Sequence, residues 1–292
     1  MKRLHRVLVG TDFTPGAVRA ARRALSLPLA PAATVELIHA MPRIAPRAFE
    51  PSVKQAAMAA LDRQAAGMLR REGGSRLRIR KTLASGPPAE ALAREATAHR
   101  SDLVVVGPRG GRGLPDLDLG STAERLLAES TVPVLIVRRA PGRPYRHVLV
   151  AVDLGGSSEE ALALAMRLVA GGACRITMLH ASDLPLEAGI RLAGTSAMEF
   201  ARLRERSRAD AERFLAIETK RVKRRGFAAD WELSDGDARS VILTAARRLR
   251  ADLVALGTRR ARDRTGFLIG SVARWVARRA ACDVLVARMP AN

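Results

Sequence analysis

The sequence contains two copies of one pattern, and this repeat restricts the fold more than any other feature. Apolar segments that begin at Val7 and Val35 return 141 residues later, at Val148 and Ile176. From the third landmark onward the offset is 150, so the second copy carries nine extra residues. Six landmarks recur in one order: Val7–Asp12 and Val148–Asp153, Val35–Ala40 and Ile176–Ala181, Ser85–Gly86 and Asp235–Gly236, Asp102–Gly107 and Asp252–Gly257, Gly120–Ser121 and Gly270–Ser271, and Val132–Val137 and Cys282–Ala287. Chance does not account for this agreement, and the chain is predicted to be a duplicated fold.

The two copies are separated by a short basic segment, Arg138–Tyr145, which is rich in proline and glycine. Such a composition is typical of a linker between domains. We therefore expect a first domain at residues 1–142 and a second domain at residues 143–292. The chain has 292 residues, so each domain is long enough to bury its own core.

Short apolar segments rich in Val, Leu and Ile alternate with longer amphipathic segments in both copies. This alternation predicts an α/β fold of two tandem Rossmann-like domains, with parallel strands buried between helices on both faces. The predicted helices lie at about residues 15–27, 51–72, 88–99 and 121–130, and at about 157–170, 196–225, 238–250 and 271–280. In such sheets, ligands bind beyond the carboxyl ends of the strands.

A glycine-rich motif follows the fourth apolar segment of the first copy. Gly107 and Gly110 stand at the predicted strand exit, and Gly120-Ser121-Thr122 follows after nine residues and begins a predicted helix. Glycine lets the backbone turn tightly and approach a ligand closely. The N–H groups, hydroxyls and dipole at a helix start attract an anion. The motif therefore predicts a phosphate-binding site.

These features resemble the universal stress protein family. The resemblance rests on Asp12 after the first strand, on the spacing Gly-x2-Gly-x9-Gly-Ser and on the final segment Val132–Val137, and it covers nearly the whole chain. It implies for each copy a five-stranded parallel sheet in the order 3-2-1-4-5, flanked by four helices. It also implies that the two copies pair through their last strands, and that a copy with the complete glycine motif binds ATP.

The resemblance assigns ATP-binding roles residue by residue in the first copy. The expected contacts to adenine, ribose and phosphate are Gly10, Thr11, Asp12, Ala40, Val106, Gly107, Arg109, Gly110, Gly120, Ser121 and Thr122. Asp12 is expected to accept hydrogen bonds from ribose or to help hold Mg²⁺. No catalytic residue is assigned: the chain lacks a Gly-x4-Gly-Lys-(Ser/Thr) loop, and Ser121 has no base beside it in the sequence.

The second copy departs from this pattern at one position. Arg260 stands where the second glycine belongs, while Asp153, Gly257, Gly270 and Ser271 are retained. We interpret this copy as a spent or weakened site, because the loop is expected to need a residue free to adopt a positive φ. The alternative is that the arginines of this loop hold phosphate through their side chains. For Asp153, helix capping and ligand binding both remain open.

The formal net charge of +21 would attract nucleic acid, anionic lipid or nucleotides. The basic residues are spread along the chain and mixed with acids, which favours a compositional origin over a dedicated nucleic-acid surface. The basic run Lys220–Arg225 is a hypothetical binding surface for an anionic partner. The two cysteines have no metal-ligand spacing, and there is no apolar stretch of membrane-spanning length, so a cytoplasmic location is expected.

The expected function is ATP binding by the first copy in a regulatory or stress-response role, with slow hydrolysis or none. Two alternatives stay open: a nucleotide-free interaction scaffold, and a slow metal-dependent ATP hydrolase. His39 and His180 end equivalent strands and are interpreted as structural. A protein partner and a homodimer are compatible with the sequence.

Overall fold

The computed structural model of the chain describes residues 3–41, 50–70, 77–110, 119–139, 143–154, 156–169, 173–182, 196–258 and 270–288. The strands are β1 (Leu4–Gly10), β2 (Leu29–Met41), β3 (Arg78–Ser85), β4 (Leu103–Val106), β5 (Val134–Ile136), β6 (His147–Ala151), β7 (Arg175–Ser182), β8 (Ala228–Asp235), β9 (Leu253–Thr258) and β10 (Asp283–Arg288). The helices are α1 (Pro15–Leu25), α2 (Glu50–Leu69), α3 (Pro88–Ala98), α4 (Ser121–Glu129), α5 (Gly156–Arg167), α6 (Ala197–Arg224), α7 (Ala238–Arg248) and α8 (Ser271–Arg279).

All ten strands form one sheet in the order β3-β2-β1-β4-β5-β10-β9-β6-β7-β8. Pairs within each half are parallel, and the order 3-2-1-4-5 holds in both halves. The exception is the junction, where β5 pairs antiparallel with β10 and Leu135 lies opposite Leu285. The predicted α/β fold with parallel sheets is confirmed. Because the strands of the two halves run in opposite directions, their carboxyl ends lie at opposite edges of the sheet.

Helices cover both faces of the sheet, so the strands are buried from both sides. One apolar core joins the sheet to α1, α2, α5 and α6, and a second core joins its other face to α3, α4, α7 and α8. Aromatic residues are only 3% of the chain. Alanines such as Ala20, Ala24 and Ala161 therefore form much of the buried helix surface and let the helices approach the sheet closely.

Local capping explains where two helices begin. The Thr14 hydroxyl accepts a hydrogen bond from the Ala17 N–H (3.4 Å), and Pro15 occupies the first turn of α1. Ser196 and Glu199 form a reciprocal capping box at the start of α6. All eight predicted helices are present, with ends within a few residues of the predicted ones. No described helix is long and apolar enough to cross a membrane.

Charged side chains join the two halves across the β5–β10 junction. Asp102, directly before β4, lies 2.9 Å from the Arg167 guanidinium at the end of α5. Buried Arg23 of α1 contacts buried Asp283 of β10 at 3.2 Å. The halves are therefore held together by ion pairs as well as by the shared sheet.

The basic helix α6 forms some of the ion pairs expected at helical spacing. Arg208 contacts Glu212 at 3.2 Å and Arg213 contacts Asp210 at 3.1 Å. In the run Lys220–Arg225, Arg221 contacts Glu218 at 3.4 Å, while four of the other side chains are exposed and one, that of Val222, is buried. An anionic partner for this run stays a prediction.

Candidate functional site

The carboxyl ends of β1, β2 and β4 form the floor of a cavity of about 270 Å³ in the first half. Gly10 is the last residue of β1, and the Thr11 N–H continues the pairing with β2 by donating to the Ile38 carbonyl (2.9 Å). The start of α4 forms the opposite side. This is the edge at which parallel α/β sheets bind ligands.

The cavity is lined by all eleven residues that the sequence predicted for the first copy. They come from four separate segments of the chain: Gly10, Thr11 and Asp12; Ala40; Val106, Gly107, Arg109 and Gly110; and Gly120, Ser121 and Thr122. The fold thus brings the predicted set together. Their binding roles remain a proposal.

Asp12 is held in place by the turn that follows β1. Its Oδ1 accepts hydrogen bonds from the N–H (3.1 Å) and the hydroxyl (2.5 Å) of Thr14. Between them Phe13 has a φ of 64°, and the equivalent Leu154 in the second half has a φ of 56°. Non-glycine residues rarely adopt this conformation. Both halves therefore build the same turn, which leaves the Asp12 side chain exposed at the cavity.

The reason for glycine at position 110 differs from the expected one. Gly110 is not among the glycines with a positive φ in the described chain. Instead, a Cβ on Gly110 would collide with Oδ2 of Asp12. The backbone at Gly110 thus passes close to the Asp12 carboxylate, which would have to move to admit a larger residue. At Gly107 a Cβ would come within 3.0 Å of the Gly16 backbone, so this loop also packs tightly on the start of α1.

The start of α4 presents its first N–H groups at the cavity. Gly120 is the cap residue, with a φ of −75°, and among the described residues no side chain caps this helix. The Gly120 N–H donates to the Pro108 carbonyl (2.8 Å), which ties the helix start to the glycine loop. The next N–H groups have no partner within the helix. A phosphate at this point would meet N–H donors, the hydroxyls of Ser121 and Thr122 and the positive end of the dipole.

Residues that the sequence analysis did not assign also line the cavity: Ala17, Ile38, His39, Pro88, Leu92, Pro108 and Ala123. Most are apolar and carry no motif that could have marked them. The His39 Nδ1 bonds to the Thr11 carbonyl (2.8 Å), and the His39 ring lies 4.6 Å from that of Phe13. The His180 Nδ1 bonds in the same way to the Val152 carbonyl (2.7 Å). Each ring thus holds the chain at the end of the first strand of its own half, β1 or β6, which agrees with a structural role. Each ring also lines the cavity of its half.

A second cavity, of about 480 Å³, lies at the equivalent place in the second half. Val152 and Val272 stand where the first cavity has Thr11 and Thr122, whereas Ser158 and Thr258 stand where it has Ala17 and Pro108. Asp153 bonds Ser158: the Asp153 N–H donates to the Ser158 hydroxyl (2.8 Å), which in turn donates to the carboxylate. Arg260, the departure from the glycine motif, lies outside the described residues.

The donor set suits a magnesium ion only in the presence of phosphate. Asp12 is one carboxylate beside the proposed phosphate site, and Mg²⁺ is commonly held by one or two carboxylates together with substrate phosphates. Among the described residues there is no group of three His, Cys, Asp or Glu side chains that could form a complete metal site.

Known proteins match this chain over both copies. The sequence model of the universal stress protein family matches residues 3–138 and 144–288. A universal stress protein of Thermus aquaticus is 32% identical over 135 residues, 45% of this chain and 97% of that protein. One from Mycobacterium tuberculosis is 33% identical over 193 residues, 64% of this chain and 61% of that protein, so this chain spans less than two thirds of that relative.

Solved structures share the complete two-copy arrangement. The crystal structure of a universal stress protein from Archaeoglobus fulgidus superimposes with a TM-score of 0.72. The match covers 98% of this chain and 99% of that chain at 16% identity. At this identity the likeness concerns the fold alone.

Proposed function

The chain belongs to the universal stress protein family, and from that premise we propose that it is a cytoplasmic regulatory protein that binds ATP in its first half. The observation that carries the proposal is that all eleven residues assigned from the family resemblance line one cavity. Four chain segments supply them, and the fold places those segments at the sheet edge where nucleotides bind in related architectures.

The chemistry of the cavity suits the parts of an adenine nucleotide. Ala40 and Val106 offer apolar surface for the base, and Asp12 offers a carboxylate for ribose hydroxyls. The start of α4 offers N–H groups and hydroxyls for phosphate. With ATP bound, Mg²⁺ would neutralise phosphate charge, and Asp12 is the residue proposed to hold it.

The second half is proposed to bind nucleotide weakly or not at all. Its glycine motif carries Arg260 where the first has Gly110, and valines replace Thr11 and Thr122 at two positions of its cavity. The carboxylates themselves do not distinguish the halves, because the Thr14 hydroxyl bonds Asp12 as the Ser158 hydroxyl bonds Asp153.

A matched pair of substitutions tests the one-site proposal. Ala40 and Ala181 occupy equivalent positions, and each lines one cavity. Ala40→Leu should fill the base region of the first cavity, and Ala181→Leu should fill that of the second. The nucleotide released from freshly purified, denatured protein is measured by chromatography. We expect roughly one adenine nucleotide per chain in the wild type and in Ala181→Leu, because one cavity is complete, and loss of nucleotide in Ala40→Leu.

Other results would support the alternatives. Absence of nucleotide from the wild type, together with no binding of ATP and Mg²⁺ on titration, would overturn the proposal and favour a scaffold. Metal-dependent phosphate release that disappears in Asp12→Asn would favour a slow hydrolase. Loss of nucleotide in Ala181→Leu alone would place the site in the second half and contradict the proposal.

A further inference from the structure

A groove of about 470 Å³ lies between α1 and α2, outside the proposed nucleotide cavity. Its base is apolar and buried, formed by Ala21 and Met68, with Val18 partly exposed beside them. Its rim carries three exposed arginines, Arg22 of α1, Arg63 of α2 and Arg70 directly after α2. The groove therefore combines apolar surface with three positive charges.

These three guanidinium groups have no counter-ion among the described residues, where none of them forms an ion pair or a hydrogen bond. Arg208 and Arg213, by comparison, each contact an acid on their own helix. Like charges that line one groove repel one another unless an anion lies between them.

A buried amide donor adds to this demand for an acceptor. Gln64 lines the groove, and its Nε2 is buried without a hydrogen-bond partner among the described residues. The Thr11 hydroxyl donates to the Gln64 Oε1 (2.9 Å) and accepts the Phe13 N–H (3.1 Å). In this orientation the Gln64 amide has no acceptor for its N–H groups among the described residues. A buried donor left in this way costs stability that an acceptor would recover.

The groove is open because position 67 carries no side chain. Gly67 lies on α2 between Arg63 and Arg70, and a Cβ there would meet nothing nearer than an Arg70 guanidinium nitrogen at 3.8 Å. Glycine within a helix costs stability relative to larger residues. An empty position at this cost, in the middle of an arginine-lined groove, leaves room for a bound molecule.

We propose that this groove is a binding site for a small organic anion, a phosphate or carboxylate group carried on an apolar body. The anionic group would lie among Arg22, Arg63 and Arg70, and the apolar body against Val18 and Met68. Arginine forms paired, charge-assisted hydrogen bonds with both kinds of anion. Through the Gln64–Thr11 hydrogen bond the groove is one contact away from the proposed nucleotide cavity.

Phenyl phosphate is a suitable probe, and its binding to the full chain is measured by isothermal titration calorimetry at constant ionic strength. Gly67→Leu fills the groove without changing charge and favours the helix. Ala66→Leu is the matched control, since Ala66 is the preceding residue of α2 and is exposed. We expect one site that is lost in Gly67→Leu and kept in Ala66→Leu.

A second pair of variants separates this site from general attraction to a basic surface. Arg22→Ala/Arg63→Ala removes two charges from the groove, and Lys223→Ala/Arg224→Ala removes two exposed charges from α6. We expect the first pair to weaken phenyl phosphate binding by at least about tenfold and the second to leave it nearly unchanged. Equal binding by all variants, or no binding by the wild type, would overturn the proposal. Binding that is lost in Ala40→Leu but not in Gly67→Leu would assign the probe to the nucleotide cavity and also overturn it.

Substituting benzoate for phenyl phosphate distinguishes the two anion classes. Retained binding of both, with the same sensitivity to Gly67→Leu, supports a general anion site. Binding of phenyl phosphate alone supports a phosphate site in the same groove. Because Gly67→Leu and Ala40→Leu alter different cavities, failure of this proposal can be told apart from failure of the ATP-binding proposal.

Discussion

Asp283 is completely buried and accepts hydrogen bonds from four donors. They are the Tyr145 hydroxyl (2.7 Å), the backbone N–H groups of Arg138 (2.8 Å) and Arg139 (3.0 Å), and Arg23 Nε (3.2 Å). The Arg23 guanidinium also lies over the Tyr145 ring at 4.3 Å. A buried carboxylate is tolerated only when its charge and lone pairs are matched in this way.

The first prediction concerns this carboxylate. Asp283→Asn should lower the free energy of unfolding by about 3–5 kcal/mol, because it leaves the Arg23 charge buried without a counter-charge. Urea denaturation measures the effect. The control is Asp210→Asn, which removes an exposed partner of Arg213 and should change stability by less than about 1 kcal/mol. If Asp283→Asn lowered the free energy of unfolding as little as Asp210→Asn, Asp283 would not be the essential counter-charge of Arg23.

The roles of some residues could be predicted from the sequence, and those of others could not. Asp12 and the motif glycines are predictable, because Asp12 follows one recognisable strand and the glycines follow another with a fixed spacing. The Asp283 network is not, since its partner Arg23 is 260 residues away. The expectation that position 110 needs a positive φ was wrong for Gly110. Its neighbour, the Asp12 carboxylate, is revealed only by the folded structure.

At the scale of elements, α4 and α8 meet across the junction through opposite charges. Glu124, in the first turn of α4, contacts Arg278 and lies 3.8 Å from Arg274 of α8. The Arg278 hydrogen bond holds the pKa of Glu124 below its usual value despite partial burial. Glu124 directly follows residues that line the first cavity. Its charge is therefore neutralised by the other half of the molecule.

The second prediction follows from this pair. Arg278→Ala should weaken ATP binding to the first half by roughly fivefold, about 1 kcal/mol, because an uncompensated Glu124 would oppose phosphate at the start of α4. Calorimetric titration with ATP and Mg²⁺ measures the change. Arg279→Ala removes a neighbouring charge that contacts Trp275 instead, and should have little effect.

Adding Glu124→Gln to Arg278→Ala completes the test. It should restore affinity, because the opposing charge is gone. If the double variant binds as weakly as Arg278→Ala, the effect is due to packing at the junction and not to the Glu124 charge.

The helices and strands were the most predictable level of the structure. Apolar periodicity placed all eight helices, since each has one face that packs on a sheet buried from both sides. Contacts between elements of different halves, such as that of Glu124 with Arg278, could not be predicted. Nothing in the local sequence shows which of 45 arginines meets a given acid.

For the whole molecule, Asp102 links acid stability to the junction between the halves. Burial alone would raise its pKa, but hydrogen bonds from the Arg6 and His5 N–H groups and from Arg167 outweigh it, so the pKa is lowered. A carboxyl with a lowered pKa in the folded state stabilises the protein above the unfolded pKa. That stability is lost as the pH falls through the folded value.

The third prediction is that Asp102→Asn lowers stability at neutral pH and makes it less dependent on pH below about 4. Denaturation over a series of pH values measures the slope. Arg167→Ala should give an intermediate slope, because the backbone N–H bonds to Asp102 remain. An unchanged acid slope in Asp102→Asn would show that the carboxyl does not carry this effect.

The global arrangement was predictable in part. The repeat and the alternation of elements indicate two parallel α/β units without reference to any known protein. The order of strands and the pairing of β5 with β10 came from the family resemblance, because strand order leaves no local pattern in a sequence.

The antiparallel junction of β5 and β10 has a further consequence, which concerns concentration and divergence. Two separate subunits joined in this way would come apart on dilution, whereas halves of one chain stay at a fixed effective concentration. In separate identical subunits every substitution would also occur twice. Here Asp283 of the second copy contacts Arg23 of the first. The position equivalent to Asp283 in the first copy is Pro133, and the position equivalent to Arg23 in the second copy is Leu164. Joining the halves thus frees each copy to change alone, so one cavity can lose its ligand while still supporting its neighbour.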